Sequence, residues 1–101
     1  LLQSENRPDA VLAFNDIITY AAFDAIKECG LSIPDDVAII GFTDGDSAAF
    51  VTPKLSAIMD QAHVQGNKSC ELLMRNIKGD QCIYKEVVPM ILKIRESSEK
   101  N

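Results

Sequence analysis

The residues best suited to chemistry are an adjacent amide and carboxylate, Asn15-Asp16, and a later polar run, Thr43-Asp44-Gly45-Asp46-Ser47. Each follows a short apolar stretch, Ala10 to Phe14 in the first case and Val37 to Phe42 in the second. Such stretches, bounded by turn residues, read as buried strands. In α/β sheets ligands bind at the carboxyl ends of strands. Amide, hydroxyl and carboxylate groups at two neighbouring strand ends would suit hydrogen bonding to a polyhydroxylated small molecule. A plainer reading stays open beside this one. Asn15 or Asp16 can cap the helix that follows, and Asp44, Gly45 and Asp46 can simply turn the chain.

The elements that must position these residues follow in order. Leu1 to Arg7 reads as the tail of a helix stopped by Pro8, since proline drives its predecessor out of the helical region. The segment from Ile17 to Cys29 has apolar residues at helical spacing, with Gly30 as a left-handed cap. Ile18, Ala22, Ala25, Ile26 and Cys29 form one stripe, expected to pack on the sheet; Ile17, Tyr20, Ala21 and Phe23 spread toward a second side, free to meet another domain or copy. Leu31 to Asp36 is a connector. Its adjacent acids read as turn residues rather than a metal pair, because no third ligand lies nearby. Val37 to Phe42 is apolar throughout, as in a strand covered on both faces of a parallel sheet. Leu55 to Met59 reads as a short strand or an extended crossing. Gln61 to Lys78 forms a helix ended by Gly79, within which Gly66 costs roughly 1 kcal/mol against alanine and marks close packing with another element. Cys82 to Val88 and Met90 to Arg95 read as β-structure split by Pro89, and Glu96 to Asn101 as a loose polar tail.

Composition narrows the classes of function. With 15 acidic against 10 basic residues the net charge is −5, which argues against a nucleic-acid surface, since duplex binding needs Lys and Arg against phosphates. A hydrophobic content of 47% excludes disorder as the main state. Cys29, Cys70 and Cys82 are an odd number without a paired motif, so they read as reduced intracellular thiols filling core space. No signal-peptide pattern or membrane-length apolar run occurs, which points to a cytoplasmic protein without membrane contact. No cofactor is expected, because neither a phosphate loop nor a dinucleotide glycine pattern is present. Ser47, His63 and an Asp could be drawn as a triad, but Ser47 has no nucleophile-elbow context, so no enzyme is expected.

Phe14-Asn15-Asp16, Ala25-Ile26, the block Gly30 to Phe42, Pro53-Lys54-Leu55-Ser56-Ala57-Ile58, Gly66 and Arg95-Glu96-Ser97-Ser98 together resemble the effector-binding domain of LacI/GalR-family regulators. Ile33 to Phe42 is the most specific part. The resemblance implies a two-lobed, periplasmic-binding-protein-like α/β fold of parallel sheet flanked by helices, of which residues 1–101 would be the later part. It implies a small-molecule effector such as a sugar, a homodimer, and DNA contact only through an N-terminal domain outside this chain. A periplasmic sugar-binding protein of a transport system is the alternative, separated by what precedes Leu1. The family's effector-contacting Asn matches Asn15, with Asp16 beside it. Thr43 stands where the family commonly has Asp, with Asp44 next, and Asp60 where many members have Gln. Both departures keep the pocket polar. Residues 47–51 and the helix after Asp16 resemble the family's dimer surface.

Overall fold

The computed structural model describes residues 1–43, 45–80 and 85–100. Two compact units divide the chain, one formed by Leu1–Met59 with Leu92–Asn101 and the other by Asp60–Ile91.

In the first unit, β1 (Ala10–Ala13), β2 (Ala38–Phe42) and β3 (Ser56–Met59) pair in parallel, and β4 (Ile91–Lys93) follows β3 at the edge of the sheet. Ala13 pairs with Gly41, and Gly41 with Ala57. Helix α1 (Asp16–Glu28) connects β1 to β2, and a 3-10 turn (Asp46–Ala49) interrupts the loop to β3. The core consists of Phe23, Ile26, Val37, Ile39, Ala48, Leu55 and Ala57. Full burial of each large apolar side chain is worth about 1.5–3 kcal/mol. The apolar run of β2 is thus explained by its place between two parallel neighbours.

The face of α1 that enters the core is displaced from the expected stripe. Thr19, Phe23 and Ile26, spaced four and three residues apart, are buried, whereas Ile18 is 49% and Ile17 81% exposed. The periodicity is helical, but a threonine heads the buried row. Helix α1 ends in a Schellman motif: Gly30 at φ +73° donates its N–H to the Lys27 carbonyl, and Leu31 donates to that of Ile26. After it, Asp36 accepts from the backbone N–H and the hydroxyl of Ser32, at 2.8 and 2.7 Å, and pairs with Arg7 at 3.2 Å. The two acids are turn residues here.

Several expectations are overturned. Residues 1–8 form turns, not a helix end, because Ser4 bonds back to the Leu1 carbonyl through its own N–H and hydroxyl. The expected loose tail carries a 3-10 turn, Glu96–Ser98, with Ser97 fully buried. The Ser97 hydroxyl donates to the Ile39 carbonyl at 2.7 Å and accepts from the Ser56 N–H at 2.8 Å. Ser56 in turn bonds the backbone N–H of Arg95 at 2.7 Å, and Arg95 reaches the Leu55 carbonyl at 2.7 Å. These serines satisfy backbone groups of β2 and β3, which is why a polar segment lies inside. Cys29 and Cys70 are exposed rather than core-filling, the first at the C-cap of α1 and the second on a helix without buried residues; Cys82 lies outside the described residues.

The second unit is built on α2 (Ala62–Ile77), closed by Gly79 at φ +79°. A Cβ at Gly66 would meet nothing within 4 Å, so the expected close packing there is absent. Residues 85–90 are not strand, and Cys82, Ile83 and Tyr84 lie outside the described residues. Gln61 donates its side-chain amide to the Pro89 carbonyl at 2.7 Å.

Replacing Ser97 with Ala leaves the Ser56 N–H and the Ile39 carbonyl unpaired in a buried place. A loss of about 1–3 kcal/mol is expected, read as a lower denaturant midpoint at unchanged slope. Asp36 gives a pH signature. The Ser32 backbone hydrogen bond, then the Ser32 hydroxyl and Arg7, hold its carboxyl below the usual carboxylate range. A pKa lowered by folding stabilises the fold fully above the unfolded Asp value and loses that contribution as pH falls through the lowered one. Acid titration of Asp36→Asn followed by circular dichroism should therefore show a shallower loss of stability below about pH 4.

Candidate functional site

The register sets Ala13 beside Gly41, so the residues leaving β1 and β2 emerge at the same edge of the sheet. Asn15 leaves β1 in an extended conformation, φ −151° and ψ 176°, as the N-cap of α1. Its Oδ1 accepts from the Ile18 N–H at 2.9 Å. Its backbone carbonyl accepts twice from Thr19, from the N–H at 2.8 Å and from the hydroxyl at 2.6 Å. The capping reading of Asn15 therefore holds for its oxygen. Its Nδ2 makes no hydrogen bond among the described residues, and the residue is exposed.

Asp16 is the first residue of α1, where the helix dipole favours a negative charge. Its Oδ1 is buried and accepts no hydrogen bond from the described residues. Thr43, just beyond β2, is only 4% exposed. Its N–H donates to the Ile58 carbonyl at 3.2 Å, and its hydroxyl accepts a long bond from the Gly45 N–H at 3.4 Å. Asp44 lies outside the described residues. Asp60 is exposed and belongs to the second unit. Asn15, Asp16 and Thr43 thus share the strand-end edge of the first unit.

Two contacts around this edge were not foreseen. Thr19 is fully buried under the first turn of α1, and the Tyr20 hydroxyl meets that of Ser47 at 2.7 Å, tying α1 to the 3-10 turn. The hydroxyl at position 19, on an otherwise apolar helix face, was the only trace of the first. Of the residues drawn as a triad, Ser47 is hydrogen-bonded to Tyr20, and His63 lies in the second unit, where its Nε2 stands 3.5 Å from Asn67. Among the described residues no three His, Cys, Asp or Glu side chains gather as a metal site requires, and no helix is long and apolar enough to cross a membrane.

The second unit has its own groove of about 310 Å³, lined by Gln65, Lys68, Ser69, Leu72, Glu86 and Val88. Lys68 lies 3.3 Å from Glu86 and 3.6 Å from Glu71. The hydrogen bond that Lys68 donates to Glu86, reinforced by the charges of Glu71 and Glu86, raises its pKa, so it remains cationic.

A parallel α/β sheet with polar strand ends of this kind is the architecture of the periplasmic binding protein-like domain, whose family profile matches residues 1–98. The lactose operon repressor of Rhizobium radiobacter is 36% identical over 100 residues, covering 99% of this chain and 88% of that one. A LacI family transcriptional regulator from Bifidobacterium animalis subsp. lactis superposes with a TM-score of 0.91 at 26% identity, over 97% of this chain and 36% of that structure. A periplasmic binding protein/LacI transcriptional regulator from Alkaliphilus metalliredigens, solved with D-xylulofuranose, gives 0.78 at 29% identity over 91% and 35%. The chain belongs to the LacI/GalR family of transcriptional regulators, within their effector-binding domain. It spans little more than a third of the length of these two structures.

The two roles of the Asn15 side chain can be separated by stability. Asn15→Ala should cost about 0.5–2 kcal/mol through the lost cap, whereas Asn15→Asp keeps an acceptor at the helix start and should stay near the parent in thermal melts.

Proposed function

We propose that residues 1–101 form the later part of a two-lobed effector-binding domain in a cytoplasmic bacterial repressor, one that senses a sugar or related polyhydroxylated molecule and catalyses no reaction. The observation that carries this reading is the exposed Asn15 amide, whose Nδ2 makes no hydrogen bond among the described residues, beside the half-buried Asp16 at the same strand end. A ligand hydroxyl would donate to Asp16, while a neighbouring hydroxyl accepts from Asn15. This pairing is the chemistry of a diol. Thr43 and Asp44, which follow β2 at the same strand end, are further polar contacts in this proposal.

The relatives support this class: one is a lactose operon repressor, and one structural neighbour was solved with a furanose sugar. The repressor relative favours gene regulation over transport. A ligand shifts such a regulator only through unequal affinity for its two conformations. The effect on DNA would arise in an N-terminal domain outside this chain. Ile17 and Phe50, 81% and 83% exposed and joined through the Tyr20–Ser47 contact between their elements, supply apolar surface for a homodimer.

The test is calorimetry on the full protein carrying this chain, titrated with D-xylulose, D-ribose, D-galactose and lactose. One of them should bind, and Asp16→Ala should weaken it at least about tenfold, the scale of a hydrogen bond to a charged group, at a nearly unchanged melting temperature. Binding by Asp16→Ala as tight as the parent's would remove Asp16 from the site.

A further inference from the structure

Thr19 is polar yet fully buried, one turn into α1, and its hydroxyl adds a second hydrogen bond to a carbonyl that already has its helical partner. That carbonyl belongs to Asn15. Opposite Thr19, one residue before the end of β2, stands Gly41. A Cβ at Gly41 would lie 2.9 Å from the Thr19 Cβ and nearer still to its Cγ2 and Oγ1, closer than real Cβ atoms approach. Gly41 is not in the left-handed region, so backbone conformation does not demand a glycine there. Glycine inside a strand weakens it and marks a place where another element approaches closely. Here that element is the first turn of α1.

We infer that Thr19 and Gly41 are positioning residues for the strand-end site, setting how closely the start of α1 approaches β2. The Thr19 hydroxyl holds the Asn15 peptide in one plane, and that plane directs both the Asn15 amide and the Asp16 carboxylate. Gly41 lies two residues before Thr43, so the same contact fixes the height of the second loop relative to the first. Neither residue touches the proposed ligand. Their effect passes through Asn15 and Asp16, and this inference rests on the ligand-binding reading given above.

The experiment uses the full protein with Thr19→Val, Thr19→Ser, Gly41→Ala and the double variant Thr19→Ala/Gly41→Ala. Two readouts are taken: calorimetric affinity for whichever of the four sugars the parent binds, and amide hydrogen exchange at Ile18, whose N–H is held by the Asn15 side chain. Thr19→Val should speed exchange at Ile18 about fivefold and weaken sugar binding by a similar factor, as expected for one lost hydrogen bond, with exchange at Ile39 unchanged. Thr19→Ser should restore both. Gly41→Ala should bind still more weakly, and the double variant, which removes the atoms that clash most but also the hydroxyl, should recover only to about the Thr19→Val level. Parent-like exchange and affinity in both Thr19→Val and Gly41→Ala would overturn the inference. If the parent binds none of the sugars while the exchange pattern appears as described, the positioning contact stands and the sugar reading fails.

Discussion

The strand β2 is the constraint on which the first unit depends. It has a parallel partner on each side, and Ile39 within it is fully buried. A strand in this position can carry no charged side chain and must satisfy each of its backbone groups. Its features follow from that demand: the Ile39 carbonyl accepts from Ser97, the missing side chain of Gly41 admits Thr19, and the chain turns polar only at Thr43, where the sheet ends. The proposed site is what remains at that edge once the interior has been satisfied.

Much of this was legible because local chemistry and tertiary placement agree. The apolar run Val37 to Phe42 reads as a strand, and β2 occupies Ala38–Phe42, with Ile39 and Gly41 buried while Ile40 and Phe42 on the other face are half-buried. Gly30 and Gly79 sit where helices must end, and each adopts the positive φ that such ends favour. Asn15 followed by Asp16 marks a helix start, and the cap is present. The long match to a regulator family rests on the same residues, since the block Ile33 to Phe42 holds the turn and the central strand together.

What escaped the sequence was decided by partners distant in the chain. Ser97 looks like a solvent-facing tail residue until β2 and β3 are placed, after which its hydroxyl fills a role that a backbone group would otherwise need. Thr19 breaks an apolar stripe and was passed over, while Phe23 was assigned to the outer side; only the packing against β2 shows which face turns inward. Cys29 and Cys70 have apolar neighbours in sequence, yet a residue at a helix end or on an uncovered helix is exposed whatever stands next to it. Within the site, Asn15 and Asp16 could be named from their types, but not the division of labour in which one oxygen caps a helix and another lies buried without a donor among the described residues.

The hydrogen bond from Ser97 to Ile39 spans 58 residues. During synthesis β1, α1, β2 and β3 leave the ribosome well before Ser97 does, and until it arrives the Ser56 N–H and the Ile39 carbonyl lack the partner they have in the finished unit. Loop closure of this length is slow relative to local structure. The two backbone groups can therefore be satisfied in this way only once residue 97 has been made, which places completion of the first unit late in synthesis.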